Sequence, residues 1–249
     1  MNEKGCSREE VLALLAGYRA RDCPHSHILS SMCTVPHEIA LSAHELFTAT
    51  NLGDPGLFPG AAEIERMLIS ELGSLLHGTN IGGYATSGGT EANIQAVRIA
   101  AKLHPTEKPN IVVPASAHFS FDKTSDLLGV EVRYAPYKKG EYVVDTEAMS
   151  HLIDKNTVAL AAVAGNTEYG VIDDVPAVAK LAQEHDISCH VDAAFGGLVI
   201  PFLKNPAPFD FAVDGVSSVT LDPHKMGMST IPCGTLLLRE PETLKLLSV

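Results

Sequence analysis

The 249-residue sequence predicts an α/β domain built on a mostly parallel sheet, preceded by an N-terminal helical extension. Three observations carry that prediction. The first eighty residues show helical amphipathic periodicity and no strand-like runs. From residue 82 onward, short β-rich apolar runs alternate with helical stretches, as in a parallel sheet covered on both faces. No internal repeat and no linker interrupts this alternation. The expected division is a helical segment over 1–81 and an α/β domain over 82–249.

Amphipathic patterns over 8–20, 37–50 and 61–77 predict three helices, and the stretch TNLGDPGLFPG between the last two is rich in turn residues. A short strand leads into SGGTE at 87–91, with a helix over 89–103. The runs NIVVP, VEVRYAP, VALAAVAG, ISCHVD and GVSSVTL are the remaining predicted strands. Helical stretches at 118–128, 145–154 and 174–185 lie between them. Ligands of such sheets gather beyond the carboxyl ends of the strands, so polar residues at those ends are the candidates.

Composition narrows the function. A formal net charge of −12, with no basic run, argues against a nucleic-acid partner, which demands clustered Lys and Arg. The longest apolar run, VALAAVAG, is too short to span a bilayer. VLALLAG near the N-terminus is flanked by charges and reads as an amphipathic helix rather than a signal peptide. Five cysteines, odd in number and without a CxxC pair, suit reduced thiols in the cytoplasm. HEIAL and HELFT begin like zinc-binding helices, but Leu41 and Thr48 stand where the second histidine belongs, so no metal site is expected.

Four polar clusters remain. Gly89 and Thr90, in SGGTE, lie where a strand turns into a long helix. The glycines permit close backbone approach and the first helical amides can hold an anion such as phosphate; an ordinary capped helix is the plainer reading. His118 follows NIVVP, where its ring could stack on a planar ligand or merely cap a helix. Asp192 ends the apolar run ISCHVD, where a carboxylate is costly unless a cation meets it. A salt bridge would serve, and so would a protonated ring nitrogen, with small Ala194 leaving room for a flat ring. Lys225 follows GVSSVTL in DPHKMG, either as a surface lysine or as an amine held to form a Schiff base. Taken together, a phosphate cradle, a stacking ring, a carboxylate and an amine describe a pyridoxal 5′-phosphate site.

With these motifs the sequence closely resembles the group II pyridoxal-phosphate-dependent decarboxylases, nearest the archaeal L-tyrosine/L-aspartate decarboxylase branch. TNLGDPGLFPG, SGGTEAN, AHFSFDK, HVDAAFGGLVIPF and DPHKMG occur in that order and cover nearly the whole chain. The resemblance implies the aspartate-aminotransferase-type fold (PLP fold type I) and a homodimer with active sites at the subunit interface. Lys225 then resembles the Schiff-base lysine, Asp192 the partner of the pyridine nitrogen, and His118 the residue stacked on the ring. Gly89 and Thr90 resemble the phosphate turn, with His224 nearby. Thr167 resembles a cofactor-contacting threonine, with Asn166 standing where threonine is commoner. The activity implied is decarboxylation of L-tyrosine to tyramine, of L-aspartate to β-alanine, or of both.

The sequence ends at Val249, where the family continues into a loop bearing a tyrosine and a C-terminal small domain bearing an arginine. The small domain is therefore absent here, and the expectation is cofactor binding without efficient turnover by these 249 residues. Two other readings stand beside it: a carbon–carbon lyase like the sphingosine-phosphate lyases, and a non-catalytic cofactor-binding or dimerisation fragment.

Overall fold

The computed structural model describes residues 4–28, 31–54 and 56–248. They fall into two compact units, 1–31 and 32–249. Pro55, within the turn-rich stretch, and Val249 lie outside the described residues.

The first unit contains α1 (Arg8–Arg19), matching the first amphipathic pattern. Ser7 and Glu10 form a reciprocal cap: Ser7 Oγ accepts from Glu10 N–H, and the Glu10 carboxylate accepts from Ser7 N–H. Two donors at the helix start are thus satisfied.

The second unit opens with α2 (Glu38–Phe47), where the His37 ring accepts from Ile39 N–H at 3.2 Å, and α3 (Pro59–Leu75), which starts on a proline whose fixed φ suits the first turn. Then follow β1 (Gly82–Thr86), α4 (Gly89–Leu103), β2 (Asn110–Pro114), α5 (Ser120–Leu128) and β3 (Glu131–Ala135). The chain continues through α6 (Thr146–Ser150), β4 (Thr157–Val163), α7 (Val175–Glu184), β5 (Ser188–Asp192), β6 (Val216–Leu221) and β7 (Gly234–Leu238), ending in a 3-10 segment, Pro241–Leu247.

The seven strands form one sheet in the order β1-β7-β6-β5-β4-β2-β3. Pairs β2–β3, β2–β4, β4–β5 and β5–β6 are parallel, while β7 is antiparallel to both β6 and β1. β7 alone therefore runs against the others. The sequence patterning gave no sign of this strand. Its five residues, GTLLL, are buried throughout and carry no alternation to distinguish strand from helix. Several predicted helices are also shorter than expected, α2 ending at 47 rather than 50 among them. α5 starts at 120 rather than 118 because Ser120 N–H donates to the His118 ring, holding His118 in the preceding turn. α6 stops at 150, where Leu152 and Ile153 N–H turn back to the carbonyls of Met149 and Ser150.

Side chains alternate across each strand, and two cores result. On one face Leu72 of α3, Met149 of α6 and Val178 of α7 join Leu160, Val191, Val219 and Leu237 of the sheet. On the other, Val97 of α4 and Phe121 of α5 meet Ile111, Val113, Ala159 and Ala161, and Ile99 of α4 meets Leu236 and Leu238. Each fully buried leucine contributes about 1.5–3 kcal/mol relative to exposure. In β5 the first core takes Cys189 and Val191. His190 and Asp192 are thereby turned toward α4, and that placement makes the site.

Candidate active site

Because every strand but β7 points one way, the turns after β1, β2, β4, β5 and β6 open on a common edge. A cavity of about 350 Å³ lies there. Gly89, Thr90, His118, Thr167, Asp192, Ala194, His224 and Lys225, the eight residues singled out in the sequence, all line it.

The turn after β1 is shaped for close approach. Gly88 sits at φ 152°, a conformation that favours glycine, and gives α4 no side-chain cap. A Cβ at Gly89 would stand 2.9 Å from Asp222 Oδ2 and 3.0 Å from the Ala194 methyl. Glu91 pins the turn from behind, accepting from Ser87 N–H at 2.8 Å and Ser87 Oγ–H at 2.7 Å. The first amides of α4 are left without a side-chain acceptor at the positive end of a 15-residue helix, a setting that attracts an anion.

Asp192 is 5 % exposed. Its Oδ1 accepts from Ala194 N–H at 3.1 Å and its Oδ2 from the Asn93 amide at 2.8 Å. The same Asn93 amide nitrogen donates to Ser120 Oγ at 2.9 Å, and its carbonyl oxygen lies 3.0 Å from His190 Nε2. On the far side of that ring, Nδ1 lies 2.8 Å from Ser218 Oγ. Burial pushes His190 down to about 4, against the pull of the Asp192 carboxylate. Asn93, Ser120 and His190 escaped the sequence reading. The available signal was spacing: His190 shares a strand face with Asp192, and Asn93 lies one helical turn beyond Gly89.

Lys225 Nζ lies 3.2 Å from Asp222 Oδ2, and His224 Nε2 lies 3.8 Å from the same oxygen. Cys233 N–H donates to His224 Nδ1 at 3.0 Å, so a neutral His224 turns its Nε2–H toward Asp222. Thr34 Oγ–H donates to the Lys225 carbonyl at 2.6 Å, fixing the backbone that carries the amine. Burial raises Asp222, with the Lys225 ammonium opposing it. Asp222 also escaped the sequence reading.

His118 is an acceptor at Nδ1, taking Ser120 N–H at 3.2 Å, and burial lowers it, so the ring is neutral. Thr167 sits on a loop tied at its base by Asp173, whose carboxylate accepts from Val163 and Val144 N–H, both at 2.8 Å. Among the described residues, no group of three or more His, Cys, Asp or Glu is placed to hold a metal ion.

These residues fit pyridoxal phosphate on the geometry alone. An amine, a buried carboxylate, a flat neutral ring and free helix amides face one cavity. Ser116 Oγ and Asp222 Oδ1, on its wall, are buried without a hydrogen-bond partner. A buried polar atom left unpaired costs about 1–3 kcal/mol, which a polar ligand would relieve.

A mostly parallel sheet with this amine and this carboxylate at adjacent strand ends defines the PLP fold type I class. Residues 50–248 match the pyridoxal-dependent decarboxylase conserved domain, and the chain belongs to that family, whose cofactor is pyridoxal phosphate. A probable L-tyrosine/L-aspartate decarboxylase of Methanocorpusculum labreanum is 66% identical over 250 residues, covering 100% of this chain and 68% of that protein. A probable L-aspartate decarboxylase of Archaeoglobus fulgidus is 52% identical over 240 residues, covering 96% of this chain and 65% of that protein. Among solved structures, a sphingosine-1-phosphate lyase of Burkholderia pseudomallei superposes with a TM-score of 0.92 at 28% identity, over 99% of this chain and 62% of that one. A Lactobacillus brevis glutamate decarboxylase superposes with a TM-score of 0.86 at 21% identity, over 98% of this chain and 60% of that one, and shares the fold. The chain thus spans about two thirds of the length of these curated relatives.

Proposed function

We propose that this protein acts as a pyridoxal-phosphate-dependent decarboxylase of L-tyrosine, L-aspartate or both, releasing carbon dioxide with tyramine or β-alanine. The observation that carries the reading is the convergence of the Lys225 amine and the Asp192 carboxylate on one cavity. Bound pyridoxal phosphate supplies an electron sink for the pair left behind by a departing carboxylate.

The chain's own groups do the rest. Lys225 offers the amine that links to the cofactor, held beforehand by Asp222. Asp192, with both oxygens engaged by neutral donors, keeps its negative charge and holds a proton on the pyridine nitrogen. His118, neutral, presents a flat face for stacking without adding a competing cation. Gly89 and Thr90 offer backbone amides to the phosphate, with His224 beside the turn; Thr167 and Ala194 complete the contacts.

The substrate pair is read from relatives named for it at 66% identity. A lyase acting on a phosphorylated long-chain base is the second reading, favoured by the TM-score of 0.92 to the bacterial lyase. We read the protein as a cytoplasmic homodimer. Ile39, Leu41 and Leu46 of α2 and Ile64 and Met67 of α3 are each more than half exposed, an apolar surface suited to a second copy. Among the described residues Cys6, Cys23, Cys189 and Cys233 form no disulfide, as suits a reducing compartment.

The test incubates the protein and cofactor with each amino acid and identifies products by mass. Tyramine or β-alanine is the expected product. Cleavage of a phosphorylated long-chain base, with neither amine formed, would move the protein to the lyases. Borohydride reduction should fix the cofactor covalently to Lys225, and specific labelling of Lys225→Ala would overturn that role.

A further inference from the structure

Beneath α4, the sheet carries a strip of buried polar residues where its neighbours are apolar. His190 of β5 and Ser218 and Thr220 of β6 are each at most 6 % exposed, and Asn93 of α4 is 1 % exposed. On the same face, the adjacent strand β4 presents Ala159 and Ala161. Burying four polar side chains does not favour folding over apolar ones of the same shape, so their arrangement calls for a function.

The donors and acceptors along this strip can run in only one direction. An ionised Asp192 accepts and cannot donate, so the Asn93 NH₂ must face it. The Asn93 carbonyl then faces His190, so Nε2 of that ring must carry the hydrogen. In a neutral ring Nδ1 is then the acceptor, filled by the Ser218 hydroxyl. Thr220 Oγ, 3.3 Å from Nε2, is a second acceptor for the same hydrogen. Reversing the tautomer would set a nitrogen lone pair against the Asn93 carbonyl. The amide would then turn its oxygen on Asp192, a contact tolerable only if Asp192 took up a proton.

We infer that Ser218, His190 and Asn93 form a directional hydrogen-bond chain that keeps Asp192 ionised and aimed at the cofactor's ring nitrogen, with His190 and Asn93 as its positioning residues. The inference rests on the reading of Asp192 as the ring-nitrogen partner. It assigns specific work to a histidine that touches neither cofactor nor substrate. Burial, which holds His190 near 4, keeps the relay neutral and leaves no cation to compete with the ring for Asp192.

The test compares two cofactors in binding rather than turnover: pyridoxal phosphate, and 1-deazapyridoxal phosphate, in which carbon replaces the ring nitrogen. Wild-type protein should bind the first more tightly; equal binding would overturn the Asp192 reading itself. In His190→Leu, affinity for pyridoxal phosphate should fall at least about tenfold while the deaza analogue is held as before, as expected when Asn93, released from His190, no longer holds its hydrogen bond to the charged Asp192. His190→Gln, whose side-chain amide reaches toward the position of Nε2, should restore the preference. Asn93→Ala, which leaves the His190–Ser218 contact in place, should lose it as His190→Leu does. If wild-type discriminates and either substitution weakens both cofactors alike, or neither, the chain is structural only and the proposal fails.

Discussion

Lys225 and Asp222, three residues apart on the turn leaving β6, form an ion pair of 3.2 Å whose carboxylate side chain is 2 % exposed. Breaking a buried pair from one side leaves an uncompensated charge, at a cost of about 3–5 kcal/mol. Lys225→Ala should therefore destabilise the cofactor-free protein by about 3 kcal/mol at pH 8, and adding Asp222→Asn should recover most of that loss. Burial already raises Asp222. With its cation gone, it takes up a proton more readily as pH falls, so the deficit should shrink toward acid. Urea titrations of the two variants at pH 8 and pH 5.5 check this. Equal stability of wild type and Lys225→Ala at pH 8 would show that solvent already screens the pair.

Asp192→Asn should keep the fold and lose turnover by at least about a hundredfold, since each 1.36 kcal/mol in the barrier is about tenfold in rate. The amide oxygen can still accept from Ala194 N–H, but its NH₂ then faces the Asn93 amide, and it carries no charge for the ring nitrogen. Steady-state rates beside circular dichroism separate the two effects. Near-normal rates in a folded variant would reduce Asp192 to a structural role.

The buried imidazole of His190 makes stability depend on pH. It titrates near 6.5 when unfolded and at about 4 in place. Between those values the unfolded chain binds a proton that the native ring refuses. Stability is therefore full above pH 6.5 and declines as pH falls, by roughly 3 kcal/mol at pH 4 from this group alone. His118, lowered for the same reason, acts in the same direction. From pH 7 to pH 4.5, denaturant midpoints should fall further in wild type than in His190→Gln. Parallel curves would mean that the native ring takes up a proton as readily as the unfolded one.

Gly89→Ala places a methyl where Asp222 Oδ2 and the Ala194 methyl leave 2.9 and 3.0 Å. Overpacking of this kind costs about 1–3 kcal/mol, and here it falls on the turn that offers amides to the phosphate. Cofactor affinity, read by fluorescence, should drop at least about tenfold. Unchanged affinity would place the phosphate elsewhere.

The chemistry was more legible in the sequence than its support. Lys225, Asp192, His118 and Gly89 stand out because each is a polar or glycine residue at the end of an apolar run, where periodicity breaks. The strands β2 to β6 were legible for the complementary reason: their apolar runs are bounded by turns. Asn93 and His190 were hidden because each sits inside a regular element, where a polar residue is read as solvent-facing until the packing face is known. Asp222 was hidden behind its neighbour Lys225, since only the fold shows the carboxylate turning inward beneath the amine. β7 was hidden by its uniform burial, which removes the alternation that marks a half-exposed strand.

The two-residue alternation of β5 has a consequence for inheritance. Cys189 and Val191 face one core while His190 and Asp192 face α4, so a single inserted or deleted residue within Ser188–Asp192 would exchange the two sets at once. Two apolar groups would then meet Asn93, and a carboxylate would be driven among Val219 and Leu237. A change of length is therefore better absorbed in turns beyond the Ala194 anchor, which leave the charge in place, than in the strand before Asp192.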